Sequence, residues 1–582
     1  MNRTRLLLSC SPIFLFLLWH RFFKPHLSFP ADCAFPAGDT PSEPAMKELH
    51  LLTASAADLQ ALLRSGHLTS VQLVKACLNQ ISKYDRSGPT LRAIISTPAE
   101  EDILSVADRL DKERAAGKVR GPLHGIPIIV KDSINTDPSL GMPTTLGSYG
   151  FEKSRPKSNS VVVQTLLDKG LIVLGKASLT ELGNFKGDNI TSAGQRSTVR
   201  PSQRTSRVAS STERCGWATR PISIGTEADG SLCTPASRAA LYGMKPTVGS
   251  TPMDGIFVIS TAFDTVGAMA KSVDDLATLI GYVQEKAPGG DGANRDYHAV
   301  FQQDWSGLRL GFVDPDKWRL PPGLVTPIEE VNEQIKASYD AAMEKIQNLG
   351  GEVIYPVELV HPKENGIGKA MDTIFDYEPR GVVAAYLETR DDPIMKSLED
   401  IAQFNIEHAD LELPEDYPNQ NAILDAINHK ITPAEYEAAK ATLQKEALEN
   451  GVRRIMEENK LDAIIGPTDG PLASIAAAIG GPVATMPVGL LNLHGRPFGL
   501  SVLTLPKHDD VLFNVMSTWK RHSRREHCLR FYSSRIPTSR YLPYLPRSRV
   551  IIPPRTILQN TWNHRHYVPQ SWLCRVPTSN AF

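Results

Sequence analysis

The sequence predicts an α/β fold, with helices packed on a central sheet. Three observations carry that expectation. Short apolar runs alternate with amphipathic stretches in strand–helix–strand order. Apolar residues are 41% and charged residues 22% of the 582, close to an ordinary globular protein. No fixed-period repeat and no Pro/Gly-rich linker interrupts residues 48–519, so this span reads as one large domain. The composition excludes a disordered, collagen-like or multi-span membrane chain. A formal charge of −1 argues against a protein that coats nucleic acid.

The elements follow in order. A helix is expected over about Ala56–Arg64, capped by Ser55. A second covers about Ser70–Lys83, with Val71, Val74, Leu78 and Ile81 at helical spacing. A third spans Glu100–Ala116 and stops at Gly117. Gly125–Val130 reads as a buried strand ending in Lys131-Asp132. Ser160 caps a helix over Val161–Lys169, Gly170 ends it, and strand Leu171–Leu174 follows. Leu308–Val313 reads as a strand. Thr326-Pro327 opens a long helix with Ile328, Val331, Ile335, Tyr339, Met343 and Ile346 on one face. Gly350-Gly351 stops it before strand Glu352–Tyr355. A helix over Pro433–Glu458 and strand Asp462–Ile465 complete the pattern.

The two ends differ from the middle. Residues 1–48 form an extension in which Arg3 and Arg5 precede an apolar run, Leu6–Trp19. Its 14 residues fall short of the ~20 of a membrane helix and suit a secretory signal or anchor. A membrane association would run through residues 6–19; without that segment the chain would be cytoplasmic. Residues 520–582 hold 12 Lys/Arg, one acid and seven prolines, with no lasting periodicity, and read as a basic disordered tail. Residues 1–28, 195–220 and 520–582 carry +4, +5 and +11, so the near-neutral total conceals an acidic body.

The seven cysteines are scattered and lack a CxxC pair, and no HExxH occurs. Neither a disulfide framework nor a metal is expected. Gly170–Ala177 nearly matches a phosphate-binding loop. However, Ala177 replaces the required hydroxyl, and the intervening residues are strand-like.

Two features carry chemistry. Ser231 follows an Asp229-Gly230 turn, where a hydroxyl can be exposed and successive N–H groups can converge as in an oxyanion hole; a plain loop fits the same residues. Lys131 ends an apolar strand, where burial can lower its pKa of ~10.4 toward a neutral amine base; an ion-paired lysine fits as well.

Pro122-Leu123-His124-Gly125-Ile126-Pro127-Ile128-Ile129-Val130-Lys131-Asp132 resembles the lysine motif of the amidase signature family. Gly175–Leu182 resembles its next block. Gly225–Pro235 with Gly243–Gly249 resembles its nucleophile block, and Ala484–Gly489 with Gly495–Leu500 its C-terminal sheet segment. The blocks run in family order from about His50 to Trp519. They are nearest to fungal and bacterial amidases, rather than to fatty acid amide hydrolase. The resemblance implies a central mixed sheet covered by helices on both faces. It further implies a Ser–cis-Ser–Lys triad that hydrolyses a carboxamide through an acyl-enzyme, without cofactor. Carried over, Ser231 is the nucleophile, Lys131 the base, and the N–H groups of Ala228, Asp229, Gly230 and Ser231 the oxyanion donors. The expected partner is a small-molecule amide, not nucleic acid.

The bridging serine is missing. Residues 195–220, where a Gly/Ser-rich stretch belongs, hold six arginines. Ser206, Ser210 and Ser211 are near the right distance but lack the flanking glycines of a tight turn. A frame error in the coding sequence explains the window. Shifting the codons of Trp217-Ala218-Thr219-Arg220 back one base permits Val-Gly-Tyr-Ala, and the resemblance resumes at Pro221. A true Arg/Ser-rich insertion would leave an inactive amidase-fold protein. A third alternative is the glutaminase subunit of a tRNA-dependent amidotransferase.

Overall fold

The computed structural model describes residues 51–87, 91–186, 221–288, 295–321, 327–391, 394–414, 418–493 and 495–523. The chain divides after Glu48 into two units, and every described residue lies in the second, Leu49–Phe582. The expectations for residues 6–19 and 195–220 (with Ser206, Ser210 and Ser211) lie outside the described residues, as does all of the expected 520–582 tail beyond residue 523; Lys520–His522 end the helix Asp509–His522.

Eleven strands form one sheet. They are β1 (Ile94–Ser96), β2 (Pro127–Lys131), β4 (Ile172–Ala177), β5 (Ile222–Glu227), β6 (Tyr242–Lys245), β7 (Thr265–Ala270), β8 (Arg309–Phe312), β9 (Glu352–Ile354), β11 (Ala463–Pro467), β12 (Val483–Leu490) and β13 (Pro497–Leu503). Their spatial order is β1-β4-β2-β5-β7-β6-β12-β13-β11-β8-β9, and β3 (Arg155–Pro156) pairs separately with β10 (Arg390–Asp391). β2 runs parallel to β4 and β5, and β8 parallel to β9 and β11. The remaining neighbours are antiparallel, so the sheet is mixed as expected. Every residue of β2, β4, β5, β7 and β13 is buried. Successive side chains of a strand point to opposite faces, so both faces of the central sheet are covered. This is why these segments read as continuous apolar runs rather than alternating ones.

The helices begin where local chemistry satisfies their first N–H groups. Ser55 and Asp58 form a capping box before Ala56–Arg64. Thr69 and Gln72 do the same before Ser70–Ile81, and Ser160 caps Val161–Asp168. Gly170 then adopts φ +81°, which turns the chain into β4. Two expected helices differ in detail. The one expected at Thr326-Pro327 starts at Glu329 and runs to Asn348; Tyr339, Met343 and Ile346 are buried, whereas Ile328 is exposed. Its apolar stripe is thus covered only over the second half. The one opening at Pro433 widens to a π-helix over Leu443–Arg453 and ends as Arg454–Asn459 at Lys460, which has φ +52°.

Gly175-Lys176-Ala177 lies inside β4, fully buried, so no loop cradles a phosphate there. Lys176 is instead structural. Its Nζ donates to Thr144 Oγ1 at 2.9 Å and to the Ile134 carbonyl, and lies 3.7 Å from Asp132 Oδ1. Burial pushes Lys176 down to about 8 and raises Asp132. Asp132 also accepts Thr145 N–H at 3.0 Å and Thr145 Oγ1–H at 2.6 Å. The residue after Lys131 is therefore pinned from three sides. Lys176→Met leaves a buried carboxylate without its cation, and urea unfolding should show about 3–5 kcal/mol lost stability.

Candidate active site

β2 and β5 are adjacent and parallel, with Ile129 opposite Ser223 and Val130 opposite Ile224. Both strands end at the same edge, so Lys131 and the segment 228–231 lie on that side of the sheet although 100 residues separate Lys131 from Ser231. The carboxyl ends of parallel strands are the usual site edge of an α/β sheet. The Lys131 side chain lies along Gly225, where an added Cβ would come within 3.7 Å of its Cδ. Its Nζ donates to the Thr226 carbonyl and to Thr226 Oγ1, each at 2.9 Å. Ser133 Oγ stands 3.3 Å from Thr226 Oγ1. Burial pushes Lys131 down to about 8, against the opposing pull of Asp264 and Glu227.

The loop after β5 is held from both ends. Glu227 Oε2 accepts N–H bonds from Leu232 at 2.5 Å and Cys233 at 2.9 Å, capping the short helix Cys233–Arg238. Gly230 has φ +81°, a conformation strained for any residue with a Cβ. Ser474 Oγ donates to Asp229 Oδ1 at 3.1 Å, drawing that side chain toward helix Leu472–Ala478. Lys245, the last residue of β6, donates from Nζ to the Ala228 carbonyl at 2.6 Å. Asp264 accepts N–H bonds from Ile259 and Ser260, both at 3.1 Å. Burial pushes Asp264 up to about 6, while those two N–H groups and the charges of Lys131 and Lys245 pull it back. Ser231 is half-buried at the turn.

The sequence profile of the Amidase family matches residues 72–476, well over half the chain. The chain belongs to the amidase family. A probable amidase of Arabidopsis thaliana is 30% identical over 469 residues, 76% of this chain and 85% of that one. The native peptide amidase of Stenotrophomonas maltophilia superposes with a TM-score of 0.70 at 31% identity, covering 81% of this chain and 97% of its own. A glutamyl-tRNA(Gln) amidotransferase subunit of Chloroflexus aurantiacus is 32% identical over 328 residues. The match spans 62% of that relative's length and 55% of this chain.

The amidase fold places Lys131 at the end of β2 and residues 228–231 just beyond the end of the neighbouring β5, with Thr226 as the hydrogen-bonded link between the two strands. It also adds partners that sequence reasoning passed over. Thr226 and Lys245 stood inside quoted motifs, but nothing local reveals what their side chains reach. Asp264 precedes β7 and had no sequence signal at all. Of the aromatics in residues 371–390, Tyr386 serves the core. It is buried, its hydroxyl donates to Asn135 Oδ1 at 2.8 Å, and Arg390 donates to it at 2.8 Å. Tyr377 stacks on Tyr436, with ring centroids 4.5 Å apart. Phe375 packs half-buried on Phe263, at 4.8 Å. Among the described residues no cluster suited to a metal ion occurs, and no helix is long and apolar enough to cross a membrane.

Proposed function

We propose that this amidase hydrolyses a carboxamide through an acyl-enzyme on Ser231, with Lys131 as the base. The observation that supports it most is the burial of Lys131 at the strand edge shared with the Ser231 loop. At about 8, its amine is neutral in about a tenth of molecules at pH 7. Neutral Lys131 takes the hydroxyl proton, through the bridging serine where one is present. Ser231 Oγ bonds to the carbonyl carbon, and the oxyanion formed meets the N–H groups of residues 228–231. The C–N bond breaks as the lysine proton passes to the leaving nitrogen. Water, deprotonated in turn by Lys131, then cleaves the ester to the acid and restores Ser231.

A panel of aliphatic and aryl amides with mass detection of the acyl-enzyme tests the reading. Acylation at a residue other than Ser231, or no hydrolysis of any amide or activated ester, would sink it. The likeness to the amidotransferase chain supports a narrower alternative, glutamine hydrolysis within a complex. Glutaminase activity that appears only with co-purifying proteins would favour that alternative.

Thr226→Val removes the hydrogen bond from Lys131 Nζ to the Thr226 hydroxyl and keeps the one to the Thr226 carbonyl. In a chain whose bridging serine is present, the expected result is about a tenfold lower kcat with KM unchanged, from the loss of one hydrogen bond to a charge-bearing group. Steady-state kinetics on one amide checks it.

A further inference from the structure

We propose that Lys245 is a positioning residue for the oxyanion hole: by holding the Ala228 carbonyl it aims the Asp229 N–H. The proposal rests on the amidase reading above. The Ala228 carbonyl and the Asp229 N–H belong to one peptide unit. Among the described residues the only cis peptide bond is Tyr355–Pro356, so this unit is trans. In a trans peptide the C=O and N–H point in opposite directions. Lys245 Nζ sits 2.6 Å from the carbonyl oxygen, and the N–H is thereby directed away from Lys245.

The anchor is rigid. Lys245 is fully buried, and its strand lies between β7 and β12, with Lys245 opposite Val483. Asp229 is tied independently through its carboxylate to Ser474 Oγ, so the peptide plane and the side chain are held from different elements. A lysine donor also polarises the amide it touches, which makes the opposite N–H a stronger donor at a developing oxyanion. Glu227, Asp229 and Asp264 are the carboxylates whose charge Lys245 feels. Burial lowers the Lys245 pKa, and those three carboxylates pull it part of the way back toward the charged form.

The test uses the full-length chain with a p-nitrophenyl ester, whose leaving group needs no proton, so the oxyanion contribution is read apart from leaving-group protonation. Affinity for an arylboronic acid, which forms a tetrahedral adduct on a serine hydroxyl, is the second readout. Lys245→Met should lower kcat about 10²-fold, as removal of an oxyanion donor does, with KM within about threefold. Boronate affinity should fall by a similar factor. A purely structural lysine would lower the melting temperature but leave the kcat and boronate affinity of the folded fraction intact, and that result overturns the proposal. If Lys245→Met does not fold, Lys245→Arg keeps the charge but cannot set a single donor in the same buried slot. A parallel loss of at least about tenfold in kcat and boronate affinity is then expected; wild-type values for both overturn the proposal. A wild-type chain that neither cleaves the ester nor binds the boronate overturns the amidase reading and this proposal with it.

Discussion

Replacing residues 195–220 by a Gly/Ser-rich segment should raise amide turnover about 10³-fold over the chain as written. The reason lies in how a catalytic triad behaves. Lys131 and Ser231 act as one unit only when a hydroxyl relays the proton between them. The window that should supply it holds six arginines, and Gly216 is its single glycine. Ser206, Ser210 and Ser211 have no glycine beside them to admit a tight buried turn. Removing one member of such a unit costs nearly as much as removing all, so the effects are strongly non-additive. This makes the expectation sharp. Lys131→Met should cost about 10³-fold or more in the replaced chain and within about tenfold in the chain as written. Equal effects of Lys131→Met in the two backgrounds would show that the window does not carry the relay. Sequencing the transcript decides separately whether the frame was lost in the coding sequence.

Ser231→Ala has the largest effect on chemistry. It should erase fluorophosphonate labelling in either chain and lower turnover in the replaced chain by about 10⁶-fold, since no other group can form the acyl-enzyme. Intact-mass spectrometry after labelling reads the first, and single-turnover kinetics the second. The pH dependence follows from the base. With Lys131 as the proposed base, working as the neutral amine, kcat/KM of the replaced chain should rise with pH and level off above about 8. Each unit below that costs about tenfold. The charges that act on Lys131 are those of Asp264 and Glu227, and both favour its protonated form. Asp264→Asn should therefore move the midpoint to lower pH. A midpoint near 6 in the replaced chain carrying native Asp264 would show that Asp264, pushed up to about 6, limits the rate instead.

Local signals explain why much of the fold was legible. Ser55, Thr69 and Ser160 start helices through side-chain bonds to N–H groups three residues on, which leave a readable spacing. The apolar run before Lys131 is a strand because neighbours cover both its faces. The start of the Glu329 helix was less legible. Its first N–H groups lack a side-chain cap, and apolar Ile328 stays exposed, so the pattern extends beyond the helix. The run resembling a phosphate loop was settled by burial, since Lys176 answers to Asp132 and Thr144 inside the sheet.

By itself the sequence determined the α/β class and the amidase kinship, and it singled out Lys131 and Ser231 as the residues proposed to carry catalysis, because these reside in contiguous motifs. Only the tertiary structure decided what surrounds them. Thr226 on Lys131, Lys245 on the Ala228 carbonyl, and Asp264 within the field of both lysines are meetings between separate strands. The parallel pairing of β2 with β5 brings Lys131 to the Ser231 loop, and the antiparallel β5–β7–β6 pairing brings in Lys245 and Asp264. Periodicity and spacing record which face of an element is buried; they do not record which strand lies beside it. The polarity and hydrogen bonding that tune a buried lysine come from those neighbours.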